Sequence, residues 1–233
     1  MDLITKYNQL INQGNLSPDK AQEVAISQLN TLRTQFMNSQ QKKQSNNQIL
    51  RLFRPTRPLY LESQSKGLYL FGGVGTGKSM LMDLFFESID TSRKIRVHFH
   101  AFMFQFHEKI KKIRFSRRKD PVHIVCNEIL KDINLLCFDE FQVIDITDAM
   151  IVGRVFEELF LNGITVVTTS NFHPNELYKD GLNRGLFLPF INLLVNNLTV
   201  LEVNNLIDYR TKKLRDGDSY FCENDPLAAE RFN

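Results

Sequence analysis

The sequence predicts an α/β fold, with a parallel sheet of five strands flanked by helices. Five apolar runs recur along the chain: LYLF at 68–71, KIRVHFH at 94–100, LLCF at 135–138, TVVTT at 165–169 and LTVLEV at 198–203. The connections between the runs are too long for hairpins, and segments such as 148–160 carry apolar residues at helical spacing. Parallel strands need crossover connections of this kind, so the doubly wound class follows.

Composition allows a packed domain and excludes few functions. The 233 residues include 42% hydrophobic residues, and 29 basic against 26 acidic side chains do not require a polyanionic partner. The three cysteines, an odd number, are widely separated and predict free thiols in a reducing, intracellular compartment: Cys126, Cys137 and Cys222. No signal peptide and no apolar stretch of about 18 residues is visible, so we expect no transmembrane segment.

The N-terminal region predicts a helix ahead of the sheet. Ser17 is suited to an N-cap, Pro18 to the first turn and Asp19 to an acidic first-turn position. Apolar residues then recur at helical spacing: Ala25, Leu29, Leu32 and Phe36. We expect a helix over about 18–37, followed by a solvated helix end or a linker over 38–48.

GGVGTGKS at 72–79 fits the phosphate-binding pattern G-x-x-x-x-G-K-[ST], called the P-loop below. It follows the first predicted strand and precedes the helical stretch SMLMDLFFESI, which is the context the motif requires. Glycines let the backbone N–H groups face phosphates, while Lys78 would reach the β and γ phosphates and Ser79 would coordinate Mg²⁺. The alternative is a glycine-rich turn that fits the pattern by chance. The four constrained positions would match by chance in roughly one chain in a hundred of this length. The predicted nucleotide-binding residues are Gly72, Gly73, Val74, Gly75, Thr76, Gly77, Lys78 and Ser79.

Two adjacent carboxylates end the third predicted strand, LLCFDEF. At the carboxyl end of a strand they would project into the same crevice as the P-loop. Asp139 would hold Mg²⁺, directly or through water, and Glu140 would deprotonate the attacking water. The alternative is that they cap the next helix, which is the commoner role for such a pair without a P-loop.

The next strand, ITVVTTSN at 164–171, ends in a polar tip that includes Asn171. Asn171 would position the water or contact the γ phosphate. Alternatively, it starts the turn before His173 and Pro174, a position that favours asparagine. The sequence allows both interpretations.

Other signals are weaker. His98, His100 and His107 lack acidic or cysteine partners at ligand spacing, so we expect no metal site there. The cationic run at 109–119 suits a phosphate-backbone contact, but a solvated helix face is the commoner explanation. The phenylalanines of this region are expected to be mostly core: Phe99, Phe102, Phe104 and Phe106.

Taken in order, these motifs resemble the AAA+ ATPases, and longer strings resemble the ZapE family, cell-division ATPases of bacteria with mitochondrial relatives. The strings are KGLYLFGGVGTGKSMLMDLFF, VHFHAFM with the later His107, CFDEFQVIDITDAMIVGRVF, TTSNFHPNELYKDGLNRGLFLPFI and DYR at 208–210. The N-terminal YNQLINQGNLSPDKAQEVAISQL resembles the leading helix of that family. The resemblance covers about residues 7–210.

The resemblance implies an AAA+ core that acts as a ring or small homo-oligomer with ATP at subunit boundaries. Lys78 and Asp139 would serve the nucleotide and Mg²⁺, Glu140 would be the catalytic base and Asn171 the polar sensor.

An arginine finger would come from the neighbouring subunit. We expect Arg184 in this role, with Arg154 as the second choice. Either could instead be a structural arginine paired with a carboxylate.

The resemblance also implies three regions: a helical extension and linker at 1–48, the AAA+ core at 49–210, and the start of a C-terminal region at 211–233. Family members continue past DYR into a helical lid, so the lid is expected to be incomplete in this sequence, which ends at Asn233. ATP binding is therefore a firmer expectation than hydrolysis.

The expected function is a Mg-dependent ATPase of the bacterial cytoplasm that remodels a protein client of the division machinery. A mitochondrial matrix location is disfavoured because no transit peptide is visible. One alternative is a loader that contacts nucleic acid through the basic run, by Lys111, Lys112, Arg117 and Arg118. Another is a shortened scaffold that binds ATP with little turnover.

Overall fold

The computed structural model describes residues 2–46, 67–114 and 120–204. The described strands are β1 (Gly67–Phe71), β2 (Lys94–His98), β3 (Leu135–Asp139), β4 (Thr165–Ser170) and β5 (Leu198–Glu202). They form one parallel sheet with the strand order β2-β3-β4-β1-β5. The predicted five-stranded parallel sheet is confirmed.

Helices precede the sheet and connect its strands. They are α1 (Leu3–Asn12), α2 (Lys20–Asn46), α3 (Lys78–Ser88), α4 (Phe99–Arg114), α5 (Pro121–Leu130), α6 (Ile146–Leu161) and α7 (Leu188–Asn197). Two short 3₁₀ helices, Pro174–Glu176 and Arg184–Leu186, lie between β4 and α7. None of the described helices is long and apolar enough to cross a membrane.

The two faces of the sheet are covered by different sets of helices. Side chains alternate along a strand, and β3 follows this rule: Leu136 and Phe138 belong to one buried cluster, while Leu135 and Cys137 belong to another. The first cluster is rich in aromatic rings and takes its other side chains mainly from α4 to α7. The second is closed by α1, α2 and α3. Burial on both faces explains why β3 is apolar throughout.

The N-terminal helices belong to the packed structure. Leu29 and Phe36 of α2 are almost completely buried in the cluster that α3 shares. Arg33 Nε donates to Ser88 O at 3.1 Å at the end of α3. The predicted extension therefore covers one face of the sheet. The predicted domain limits stay predictions, because residues 47–66 and 205–233, including DYR, lie outside the described residues.

Helix α2 begins at Lys20, later than predicted, and its C-terminal end agrees with the helix end that was one of the two alternatives predicted for the polar stretch. Because the helix begins at Lys20, the N-cap position falls on Asp19 instead of Ser17. Asp19 Oδ1 accepts hydrogen bonds from the backbone N–H groups of Ala21 at 2.8 Å and Gln22 at 3.0 Å. A carboxylate at this position satisfies N–H groups that have no partner inside the helix. The helix continues to Asn46, so the polar stretch after residue 37 extends the helix.

The second strand is shorter than predicted. β2 ends at His98 and α4 begins at Phe99, so His98 and His100 do not share a face of one strand. The phenylalanines of α4 follow the expectation. Three of them, Phe99, Phe102 and Phe106, are buried, whereas Phe104 is 65% exposed.

Candidate functional site

The P-loop lies between the end of β1 at Phe71 and the start of α3 at Lys78. Its backbone requires glycine at three places. Gly75 has a φ of +81°. Gly77 has a φ of +90°, and a Cβ on Gly72 would lie 2.1 Å from the carbonyl oxygen of Val203. The loop therefore joins a buried strand to a helix N-terminus, where backbone N–H groups and the helix dipole favour an anion.

Lys78 holds its ammonium group inside this loop. Its Nζ donates to Gly72 O at 2.8 Å and Gly73 O at 2.7 Å, and it lies 3.3 Å from Thr76 Oγ1. The side chain is buried, and this burial lowers its pKa below the ordinary value of lysine. Ser79 follows in the first turn of α3 and is exposed. The geometry thus places a cation at the centre of a loop of backbone dipoles.

Asp139 ends β3 as a buried carboxylate that an arginine engages through both oxygens. Arg96 Nε donates to Asp139 Oδ2 at 2.6 Å and Arg96 Nη2 donates to Oδ1 at 3.2 Å. The third nitrogen, Nη1, pairs with Asp83 of α3. Arg96 lies on β2, beside β3 in the sheet. The sequence did not identify Arg96 as a site residue. Its one signal in the sequence is its position on β2 two residues before His98, which places both side chains on the same face of the strand.

Glu140 is fixed through its backbone, and its side chain is exposed. It has a φ of +54°, and its N–H donates to Thr169 Oγ1 at 3.2 Å, which attaches the turn after β3 to the end of β4. The side chain is 74% exposed, with Oε2 3.8 Å from His98 Nδ1. The alternative that this acidic pair caps the next helix is wrong, because Asp145 caps α6 by accepting from Thr147 N.

Asn171 follows β4 directly and is exposed. The hydrogen bonds of the following turn come from its neighbours. Ser170 Oγ accepts from Phe172 N at 3.0 Å, and His173 Nδ1 accepts from Asn175 N at 3.2 Å. Within the described part of the chain, the Asn171 amide has no hydrogen-bond partner. The turn therefore does not depend on the side chain of Asn171.

Both candidate finger arginines have partners in their own chain. Arg184 donates from Nη2 to Asn175 O at 2.5 Å and from Nη1 to Leu177 O. Arg154 Nη2 contacts both oxygens of Asp120 at 2.7 Å. Arg154 is therefore paired with a carboxylate, as the alternative to a finger role predicted. Arg184 instead donates to carbonyl groups of its own chain.

The remaining candidates do not gather into a metal site. Over residues 2–46, 67–114 and 120–204, no group of three or more histidine, cysteine or acidic residues could hold a metal ion. His107 Nε2 lies 2.6 Å from Asp148 Oδ1 and joins α4 to α6. Lys109 pairs with Glu128, and Lys111 Nζ lies 2.7 Å from Glu108 Oε1.

Comparison with known proteins places the chain in a family. The family model of the AFG1-like ATPases matches residues 1–233. "Lactation elevated protein 1 homolog B" of Danio rerio is 35% identical over 99% of this chain and 54% of its own length. "Cell division protein ZapE" of Escherichia coli strain K12 is 38% identical over 90% of this chain and 56% of its own length. The chain thus spans about half the length of these relatives.

Two solved structures share the fold at low sequence identity. The replication initiator DnaA bound to AMPPCP and single-stranded DNA has a TM-score of 0.53 and 17% identity, over 90% of this chain and 56% of that one. AMPPCP-bound DnaA from Aquifex aeolicus has a TM-score of 0.51, also at 17% identity and with the same coverage. These similarities confirm the predicted P-loop fold of the AAA+ type. The predicted resemblance to the ZapE family is confirmed as well, and the chain belongs to the family of AFG1-like ATPases.

Proposed function

We propose that this chain binds ATP with Mg²⁺ and hydrolyses the γ-phosphate bond. The observation that carries the proposal is the Lys78 ammonium inside the P-loop at the start of α3. The acidic end of β3 and the polar end of β4 lie on the same edge of the sheet, because the strands are parallel. Ligands of such sheets bind at that edge. The DnaA structures with AMPPCP support an ATP site on this fold.

Ser79 and Asp139 are the proposed contacts of Mg²⁺. A hydroxyl and a carboxylate are hard oxygen donors of the kind that this ion prefers, and Mg²⁺ usually keeps several waters. Since each Asp139 oxygen already accepts one N–H from Arg96, we expect Asp139 to bind the hydrated ion through water. When bound, the ion would neutralise charge on the phosphates.

Glu140 is the proposed general base. Its exposed carboxylate can reach a water, while the turn that carries it is fixed to β4 by the Thr169 hydroxyl. A general base must lie within hydrogen-bond reach of the water it activates. Asn171 is proposed to orient that water, since its amide is exposed at the end of β4.

We also propose that copies of the chain assemble and that Arg184 completes the site of a neighbour. Arg184 uses two of its five N–H groups on its own backbone carbonyls, which leaves donors for a phosphate. Exposed Met150, Leu182 and Leu186 line one cleft together with Arg154. Exposed apolar patches of this kind are typical of protein interfaces, which supports a contact between copies.

The similarity to ZapE supports a protein client in the division machinery of a bacterium. A cytoplasmic location remains a prediction. The nucleic-acid alternative has less support, because Lys109 and Lys111 are paired with Glu128 and Glu108. Of the other basic residues of that alternative, Lys112 is exposed on α4, and Arg117 and Arg118 lie outside the described residues.

The proposal is tested by Glu140→Gln, which keeps the shape of the side chain and removes the base. We expect ATP binding to be retained and turnover to fall by about 10²-fold or more. Glu128→Gln, an exposed glutamate of α5 that pairs with Lys109, is the matched control and should leave turnover unchanged. Unchanged turnover in Glu140→Gln would show that Glu140 is not the general base. ATP binding without turnover in the wild-type chain, measured together with its oligomeric state, would favour the scaffold alternative.

A further inference from the structure

A buried polar side chain of the N-terminal region contacts the P-loop. Gln22 of α2 is 1% exposed, and its Nε2 donates to the carbonyl oxygen of Thr76 at 3.0 Å. Its Oε1 accepts a hydrogen bond from the Tyr7 hydroxyl of α1 at 3.4 Å. A chain of hydrogen bonds therefore runs from α1 through α2 into the loop.

We propose that Gln22 is a positioning residue for the nucleotide and that it couples the N-terminal helices to ATP affinity. The proposal rests on the ATP binding proposed above. The carbonyl of Thr76 and the N–H of Gly77 belong to one planar trans peptide unit, so they point in opposite directions. By holding the carbonyl toward α2, Gln22 turns the Gly77 N–H away from α2.

The packing around this contact leaves little room for another loop conformation. Gly77 has a φ of +90°, and a Cβ on it would lie 2.7 Å from Gln22 Nε2. Glycine thus permits both the left-handed backbone and the close approach of α2. Without the Gln22 donor, the carbonyl oxygen of Thr76 would be buried without a hydrogen-bond partner. The cost of such a group would disfavour the observed orientation of the Thr76–Gly77 peptide.

A purely structural glutamine would behave differently. Its loss would lower the free energy of unfolding but would leave the affinity of the folded chain for ATP unchanged. A positioning glutamine changes affinity in the folded chain, because the Thr76–Gly77 peptide is no longer held before the nucleotide arrives. Preorganised groups bind more tightly for this reason. Affinity and thermal stability, measured on the same variants, separate the two roles.

The experiment compares Gln22→Met with Gln28→Met, the same substitution at an exposed position of α2. ATP with Mg²⁺ is titrated into the full chain by calorimetry, well below the unfolding temperature of each variant. We expect Gln22→Met to bind ATP about fivefold more weakly, as the loss of one buried hydrogen bond implies. Gln28→Met should bind ATP as the wild type does.

Wild-type affinity in a folded Gln22→Met chain would overturn the inference, even with a lowered unfolding temperature. If Gln22→Met does not fold, Gln22→Asn is measured in the same way. It keeps the amide but is one methylene too short to reach Thr76 O, so equal affinity would again overturn the inference. A wild-type chain that binds no ATP would instead refute the proposed function, so the two failures are distinguishable.

Discussion

At the scale of single residues, the least expected feature is the pairing of Asp139 with Arg96. Both charges are largely shielded from water: the side chains are 10% and 21% exposed. Two nitrogen atoms of one guanidinium serve both oxygens of one carboxylate. Geometry of this kind fixes the direction of the carboxylate, as the role proposed for Asp139 at a Mg²⁺ site requires.

Replacing Arg96 with methionine should therefore destabilise the fold. Asp139 would remain buried without its cation, and breaking a buried pair costs about 3 kcal/mol in the free energy of unfolding. Urea denaturation measures this loss. Arg93→Met is the control, because the guanidinium of Arg93 is exposed and donates to the carbonyl groups of Asp132 and Lys131. Equal stability of the two variants would show that the Arg96 pair does not stabilise the chain.

Sequence reasoning found the residues whose signal is local and missed those whose partners are distant. Lys78 belongs to a contiguous motif, and Glu140 follows an apolar strand, so each is visible in a short window. Arg96 and its partner Asp139 are 43 residues apart, and Gln22 is 54 residues from Thr76. No periodicity or spacing links such pairs, since only the packing of α2 and β2 brings them together.

At the scale of elements, the first turn of α2 offers a direct test of a cap. Asp19 accepts two backbone hydrogen bonds there, so Asp19→Ala should lower the free energy of unfolding by about 1 kcal/mol. Asp2 precedes α1 without a side-chain cap hydrogen bond. Asp2→Ala is therefore the matched control and should change stability much less. Chemical denaturation of both variants decides the point, and a larger effect of Asp2→Ala would contradict the assignment.

Most strands were predictable because they are short, largely apolar runs bounded by polar or glycine residues, whereas in β2 the apolar Ile95 and Val97 alternate with polar residues. The boundary between β2 and α4 was not predictable from the sequence. His98 ends the strand and Phe99 begins the helix, and no glycine or proline marks the change. Helix α5 begins at Pro121 after Asp120, whose side chain accepts from His123 N. An aspartate followed by a proline is a local signal of a helix start, so the start of α5 could have been predicted from the sequence.

At the scale of the whole molecule, buried thiols report on the integrity of both faces of the sheet. Cys126 belongs to one hydrophobic cluster and Cys137 to the other. Burial raises the pKa of Cys126 to about 12 and raises that of Cys137 well above its usual range. Unfolded thiols ionise near pH 8.5, so above that pH ionisation favours the unfolded chain and stability should fall.

In a Cys222→Ala background, native protein at pH 8 should therefore react with a thiol reagent such as DTNB only slowly. Both remaining thiols should react at once in urea, because the thiolate is the reactive form. The released chromophore measures both rates. Rapid modification of one thiol without urea would show that one face of the sheet opens by itself, contrary to the packing described above.

The central claim is that the loop built around Lys78 binds ATP, and calorimetric titration of ATP with Mg²⁺ tests it most directly. The Lys78 ammonium lies against the loop carbonyls of Gly72 and Gly73, where it can meet the β and γ phosphates. The wild-type chain and Lys179→Ala, a variant at an exposed lysine, should show saturable binding of one ATP per chain, and Lys78→Ala should show none. Absent binding in the wild type, or equal affinity in Lys78→Ala, would contradict the claim.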